Sequence, residues 1–380
     1  MTTILRAACA ASMFVLPALA QDFLLYKFEG GCTNEVVNYA PQGAAIGNGV
    51  LETTSASYYV PSLYGNALAG AQVSMSGHYT QVRTGWHPGA NPVTGDFTLA
   101  TYLKQRTAPV VPSHLFGCPT GLRMATGGSF GTGLVVQGLM ANGTWAVLNA
   151  DLQTPAQNAW VHLAVVVNAN AGLVSWYIDG VLVEQDSGYV GGVDTGTSTG
   201  ECFVGSGGQG AGSVYDLDEF LVSTRIYTPA EIAQLASGTR AGKGLYTSGT
   251  VTECGTGQLT FDSTGGRPYL GNASFALSST TPAPAVHLLA IGFSRCSFGG
   301  GTGSLPLSIG VVLPMLNGCT LLADPELLLT GASLGGTATF PIAIPAGAPM
   351  GASLFAQALA LDATTGAPAM SFGLALGVGY

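Results

Sequence analysis

Charge is what this sequence has least of. Only 8% of its 380 residues are Asp, Glu, Lys or Arg, against about 25% in ordinary soluble chains. Lysine is scarce and the net charge is −9. Neutralising phosphates takes clustered Lys and Arg, so nucleic acid is excluded as a partner. Spanning apolar runs are missing too. Beyond the first residues, Gly, Pro or polar residues break every stretch before the ~20 apolar positions a membrane helix needs.

The motifs of common catalytic sites are also absent. No Gly-x-Ser-x-Gly elbow stands between a strand and a helix. The histidines, His78, His87, His114, His162 and His287, have neither H-x-x-x-H nor H-E-x-x-H spacing. His162 lies in an apolar run and reads as a core histidine. The strings Gly205–Gly210 and Gly299–Gly301 lack both a following helix and the lysine that holds phosphate, and are turns. No catalytic residue is assigned.

What is present points outside the cytoplasm. Arg6 precedes the apolar run Ala7–Leu16, then Pro17 and Ala18-Leu19-Ala20. That order of charge, apolar run and small-residue site is that of a secretory signal peptide over residues 1–20, with a mature chain from Gln21. Of seven cysteines, Cys9 leaves with the leader. The remaining six, an even count in an exported chain, predict disulfides. Six cysteines allow fifteen pairings; Cys296 with Cys319 is the expected bridge, both lying in the second domain at short separation. Three cysteines on each side of the domain boundary require one bridge between domains or two free thiols.

Abundant glycine (56 residues) among β-branched and apolar runs predicts many short strands joined by tight turns. Trp160–Val167 and Leu173–Ile178 are two such runs. Asp179-Gly180 then leads into Val181–Glu184, the signature of a hairpin whose turn needs positive φ. Alternation sets Trp176 and Ile178 on one face, Ser175 and Tyr177 on the other. Thr228-Pro229-Ala230-Glu231 is a capping box opening a short helix. The stretch Gly238–Gly244 carries no apolar pattern and marks the boundary, with 241–247 the expected linker between a domain over 21–240 and a second over 248–380. From Leu245 onward tryptophan is absent and charge nearly vanishes. The apolar runs there are short, which predicts a smaller β-sandwich.

Three segments of the first domain resemble the laminin G-like, concanavalin A-like jelly-roll family. They are Phe23–Gly31, the pair Trp160–Ala164 with Trp176–Gly180, and Asp216–Tyr227 followed by the capped helix. The stretch from about Leu51 to Trp145 matches poorly and is expected to form loops. The second domain is similar to a C-terminal all-β module of large secreted proteins of environmental bacteria, through Gly265–Phe275, Leu289–Ser294, Gly318–Leu321, Ala356-Gln357 and Leu361-Asp362. The fold class implied is all-β: a jelly-roll sandwich plus a second, smaller sandwich.

Glycosidases on this jelly roll carry Glu-x-Asp-x-x-Glu on one strand. The nearest acidic string here, Asp216-Leu217-Asp218-Glu219, does not match, so a polysaccharide hydrolase is the least favoured reading. Jelly rolls of this kind often hold calcium where the first and last strands meet. That resemblance implies Glu29 and Asp218 as metal ligands, with Gly30 and Gly31 admitting carbonyls. Sugar binding uses aromatic faces and planar polar groups. Trp86, Tyr79, Arg83 and His87, in the expected loop region, are the candidate ligand-binding residues. The expected role is a non-catalytic, secreted or cell-surface binding protein for a glycan or extracellular surface component. The alternative is a structural or adhesive envelope protein with no small ligand.

Overall fold

The structure is a computed structural model. It describes residues 22–29, 32, 34–40, 46–53, 58–70, 79–89, 93, 95–108, 112–119, 122–126, 133–139, 145–153, 156–187, 200–207, 212–238, 242–246, 254, 259–311, 313–333 and 336–379, with backbone alone for 133–139, 145–153 and 243–246. The expected signal peptide, His78, Gly30 and Gly31 lie outside the described residues.

The N-terminal domain is a sandwich of two eight-stranded antiparallel sheets. The first runs in the order Val181–Ser187, Leu173–Ile178, Trp160–Asn168, Phe97–Gln105, Tyr215–Ser223, Gly65–Leu68, Tyr59–Ser62, and Asp22–Tyr26 also pairs with Tyr215–Ser223. The second runs Trp145–Gln153, Gly133–Leu139, Arg123–Thr126, Ser113–Gly117, Phe203–Val204, Thr80–Arg83, Gly49–Thr53, Glu35–Val36. Their inner faces bury Tyr26, Phe97, Leu99, Phe116, Val165, Trp176, Val204 and Phe220. The region expected as loops thus supplies several strands of the second sheet. Its strands of four or five residues are too short for sequence periodicity to mark.

The longest apolar run, Trp160–Asn168, does not alternate, because both of its faces are covered. Leu163, Val165 and Val167 enter the inter-sheet core. Ala164 and Val166 lie under helix α1 (Pro229–Ala236) with Ala100, Tyr177, Leu221, Tyr227 and Ile232. The Asp179-Gly180 turn has φ of 49° and 81°, the positive pair a type I′ hairpin requires. Gly180 also packs against Ala233 and Ala236, so the turn seats the helix. The capping box is intact: Thr228 Oγ1 accepts from the Glu231 amide and Glu231 Oε2 accepts from the Thr228 amide. Replacing Thr228 with alanine is expected to destabilise the protein by about 1 kcal/mol, readable in chemical denaturation.

The C-terminal domain stacks a five-stranded sheet (Lys243–Tyr246, Pro368–Gly377, Ser353–Asp362, Ala285–Gly292, Leu327–Ser333) on a three-stranded one (Thr260–Thr264, Ala276–Thr280, Thr337–Pro341). Phe275, Leu277, Leu289, Phe340, Ala358 and Leu374 fill the space between. Lys243–Tyr246 is therefore an edge strand of this sheet, within the segment expected as a linker. A small apolar cluster joins the domains, Val37 and Tyr39 against Leu322, Ala323, Phe355 and Ala375.

The disulfides correct one expectation. Cys296 bonds Cys32 and Cys319 bonds Cys254, while Cys118 bonds Cys202. The expected Cys296–Cys319 bridge is not formed because short sequence separation is not proximity. Cys319 sits in a cluster with Cys254, Leu316 and Met370 on the second domain, whereas Cys296 faces the first. One bridge thus links the domains, beside an ion pair between Arg295 and Glu35.

Candidate functional site

Register decides which side chains reach the surface of the second sheet. Leu51 pairs with Val82, and Glu52 with Gln81. Leu51, Val82 and Val204 point into the core, so Glu52, Gln81, Arg83 and Phe203 line the outer face. Arg83 is central there, its side chain 48% exposed. Its Nη1 donates to Glu52 Oε1 at 3.3 Å and its Nε lies 3.0 Å from Glu201 Oε2. Gln81 Nε2 donates to Glu52 Oε2 at 2.9 Å. Glu201 also accepts from the Gly85 amide. The Cys118–Cys202 bridge fixes the segment carrying Glu201, and Cys202 exchanges backbone hydrogen bonds with Thr84 and Trp86. The result is a polar array of one guanidinium and two carboxylates that reach solvent to different degrees, with the amide of Gln81 buried beneath them. Such planar groups donate and accept in pairs, as vicinal sugar hydroxyls require.

The sequence candidates divide across this strand. Arg83 and His87 are exposed, and Tyr79 is half-buried. Trp86 is not a surface platform, which corrects the expectation. It is 1% exposed and lies 4.7 Å, edge-on, from Phe23 and 6.0 Å, stacked, from Phe116. Past the strand end at Arg83 the chain turns through the left-handed Gly85 (φ 74°), and burial still alternates: Val82, Thr84 and Trp86 are buried, Arg83, Gly85 and His87 exposed. Glu52, Gln81 and Glu201 were not singled out from the sequence. Only the apolar alternation of Val50–Glu52 could have marked Glu52, and nothing local links it to Arg83.

Asp216 is structural. Its buried carboxylate lies 3.0 Å from Lys104 Nζ, pairs with Arg106 and accepts from the Gly70 amide at 2.8 Å. A cleft on the outer face of the first sheet is bordered by Lys27, Tyr102, His162, Glu219, Tyr227 and Leu235, with ≈ 60 Å³ of space. At 10–15 Å³ per water this holds a handful of waters and no sugar ring. Burial pulls His162 down to about 4 there, so the imidazole is neutral.

Glu29 and Asp218 do come together, both fully buried. Burial first, then Asp218 and Glu219, pushes the Glu29 carboxyl well above the usual carboxylate range. Burial and Glu219 do the same to Asp218. Asp218 Oδ2 accepts from Ser62 Oγ at 2.5 Å and Oδ1 from the Glu219 amide at 2.7 Å. Glu219, at a positive φ of 48° in a bulge, pairs with Lys27 Nζ at 2.5 Å. Among the described residues no three His, Cys, Asp or Glu side chains are grouped to hold a metal.

Residues 76–233 match a laminin G-like family model, described as "Concanavalin A-like lectin/glucanases superfamily". No curated protein matches the chain. Among solved structures it is similar to domain 4 of an extracellular arabinanase from Geobacillus stearothermophilus, in complex with arabinotriose (17% identity, 57% of this chain, 98% of that chain, TM-score 0.43). It is also similar to the binding domain of Paraclostridial Mosquitocidal Protein 1 (13%, 70% and 65%, TM-score 0.43). A third is a botulinum neurotoxin type C structure whose cell entry depends on two ganglioside molecules (9%, 94% and 94%, TM-score 0.42). At such TM-scores these likenesses carry no weight for function.

Proposed function

We propose that this chain is a secreted, non-catalytic glycan-binding protein that takes an extended, neutral saccharide along the outer face of its second sheet, centred on Arg83. The observation that supports this most is the exposed Arg83 with Glu52 and Glu201, held on the sheet with the buried Gln81 behind them and braced by a disulfide. Tyr79, half-buried, and His87, exposed, lie on either side of it in the sequence. The match of residues 76–233 to a lectin-like family model agrees with the reading. Three disulfides fit an extracellular protein, as does the lack, among the described residues, of any helix long and apolar enough to cross a membrane. Both glutamates are engaged by Arg83, which favours binding over hydrolysis.

A glycan array on the mature protein tests the proposal. Arg83→Ala is expected to weaken binding at least tenfold, about 1.4 kcal/mol. The melting temperature should stay nearly constant, because exposed ion pairs stabilise by only about 0–1 kcal/mol. Unchanged binding in Arg83→Ala would move the site elsewhere; silence across all glycans would sink the proposal. Silence would favour the structural or adhesive role, which draws on a different observation. The edge strand Leu327–Ser333 leaves Leu327 and Leu328 49% and 60% exposed, and carries no charge.

A further inference from the structure

We propose that in this chain the C-terminal domain takes the position the jelly-roll resemblance assigns to calcium: Glu29 is the docking group for the last strand, and the Glu29–Asp218 pair binds no metal. Calcium takes six to eight oxygens, mostly from carboxylates and carbonyls. Here most of the donors have other occupants, while Glu29 Oε1, buried, accepts no hydrogen bond from the described residues. Both Asp218 oxygens accept hydrogen bonds, from Ser62 and from the Glu219 amide. The Glu219 oxygens are held by the Lys27 ammonium and the Gly242 amide. With side-chain exposures of 5% and 11%, Lys27 and Glu219 form a buried ion pair, so the ammonium already neutralises the Glu219 carboxylate that a metal would need.

The Glu29 carboxyl itself is closed in from both domains. It lies between Gly65, in the turn after Ser62, and Gly377, at the end of the strand Pro368–Gly377. A Cβ at either glycine would collide with its oxygens. Glu29 Oε2 accepts from the Asn66 amide at 3.4 Å. Asn66 in turn donates to the Gly351 carbonyl at 2.8 Å and to Ser353 Oγ at 3.3 Å, both in the second domain. Gly377 donates to the Gly242 carbonyl at 2.7 Å, so the strand that faces Glu29 is tied to the inter-domain crossing. Glycine at Gly377 is what lets that backbone approach a carboxyl. This sealed contact is thus separate from the Cys32–Cys296 bridge in holding the domains together.

Calorimetry and isothermal titration on the full chain test the proposal. Wild type is expected to melt in one transition, at the same temperature in millimolar calcium chloride and in EDTA, and to release no heat on calcium titration. Gly377→Val is expected to split the melt into two transitions and to open residues 241–247 to protease, with the disulfide still intact. Glu29→Gln, which keeps shape and hydrogen-bonding capacity, should retain the single transition. Stoichiometric calcium binding that raises the melt by several degrees and is lost in Glu29→Gln would overturn the proposal. So would a Gly377→Val protein with an unchanged melt and unchanged cleavage. If Gly377→Val does not fold, the calcium arm on wild type still decides the metal, and Glu29→Ala takes its place in the docking arm with the same two readouts.

Discussion

Trp86→Ala should lower stability by about 3–5 kcal/mol, the usual loss for a buried tryptophan truncated to alanine. For a chain of this size that corresponds to a fall of roughly 10 °C in melting temperature. The indole is fully buried between the sheets, against Phe23 and Phe116. Its removal leaves a cavity that neighbours in two sheets cannot close. Below its melting temperature the variant should still bind glycan with near wild-type affinity, because the indole faces away from the Arg83 array. Arg83→Ala gives the reverse pattern. A Trp86→Ala protein that melts like wild type but has lost binding would return Trp86 to the ligand site and falsify the core assignment.

Acidification from pH 7 to 4 is expected to cost the protein on the order of 3 kcal/mol for each of His114 and His162. Burial first, and for His114 also the charge of Arg123, lowers each from 6.5 to about 4. The unfolded chain therefore takes up these protons before the folded one does. The stability they contribute is complete above pH 6.5, declines between 6.5 and 4, and levels off below. Glu29 and Asp218 act with opposite sign. Their raised values make them stabilising at low pH, a contribution lost as pH rises through their folded values. A His114→Gln/His162→Gln protein separates the two effects. Its stability should change far less between pH 7 and 4 than that of wild type. An equally steep loss in the double variant would show that neither imidazole is responsible.

How much was legible in the sequence follows the range of the interactions. The Asp179-Gly180 hairpin and the Thr228 capping box are set by neighbours within a few residues. The turn needs positive φ at two adjacent positions and the cap needs an acceptor three residues from its donor, so both could be read directly. The inward Trp176 followed from alternation. The strands between Leu51 and Trp145 could not be read, because four-residue strands such as Thr80–Arg83 carry only two inward positions. That obscured which side Trp86 would take. Read as part of a loop it is open to a ligand, whereas the chain after Arg83 turns through the left-handed Gly85 and seats it between the sheets.

The partners of Arg83 and of Cys296 were beyond the sequence for a related reason. Glu52, Glu201 and Cys32 reach them only after two sheets are assembled and the domains docked, and no local spacing encodes that geometry. By itself, the sequence determined that the chain would be all-β, bridged by disulfides and poor in catalytic motifs, since composition, turn chemistry and alternation act over short stretches. Only the tertiary structure decided which face is polar and open, which cysteines meet, and what stands against Glu29. Those outcomes depend on contacts between residues up to several hundred positions apart, where packing rather than propensity selects the neighbour.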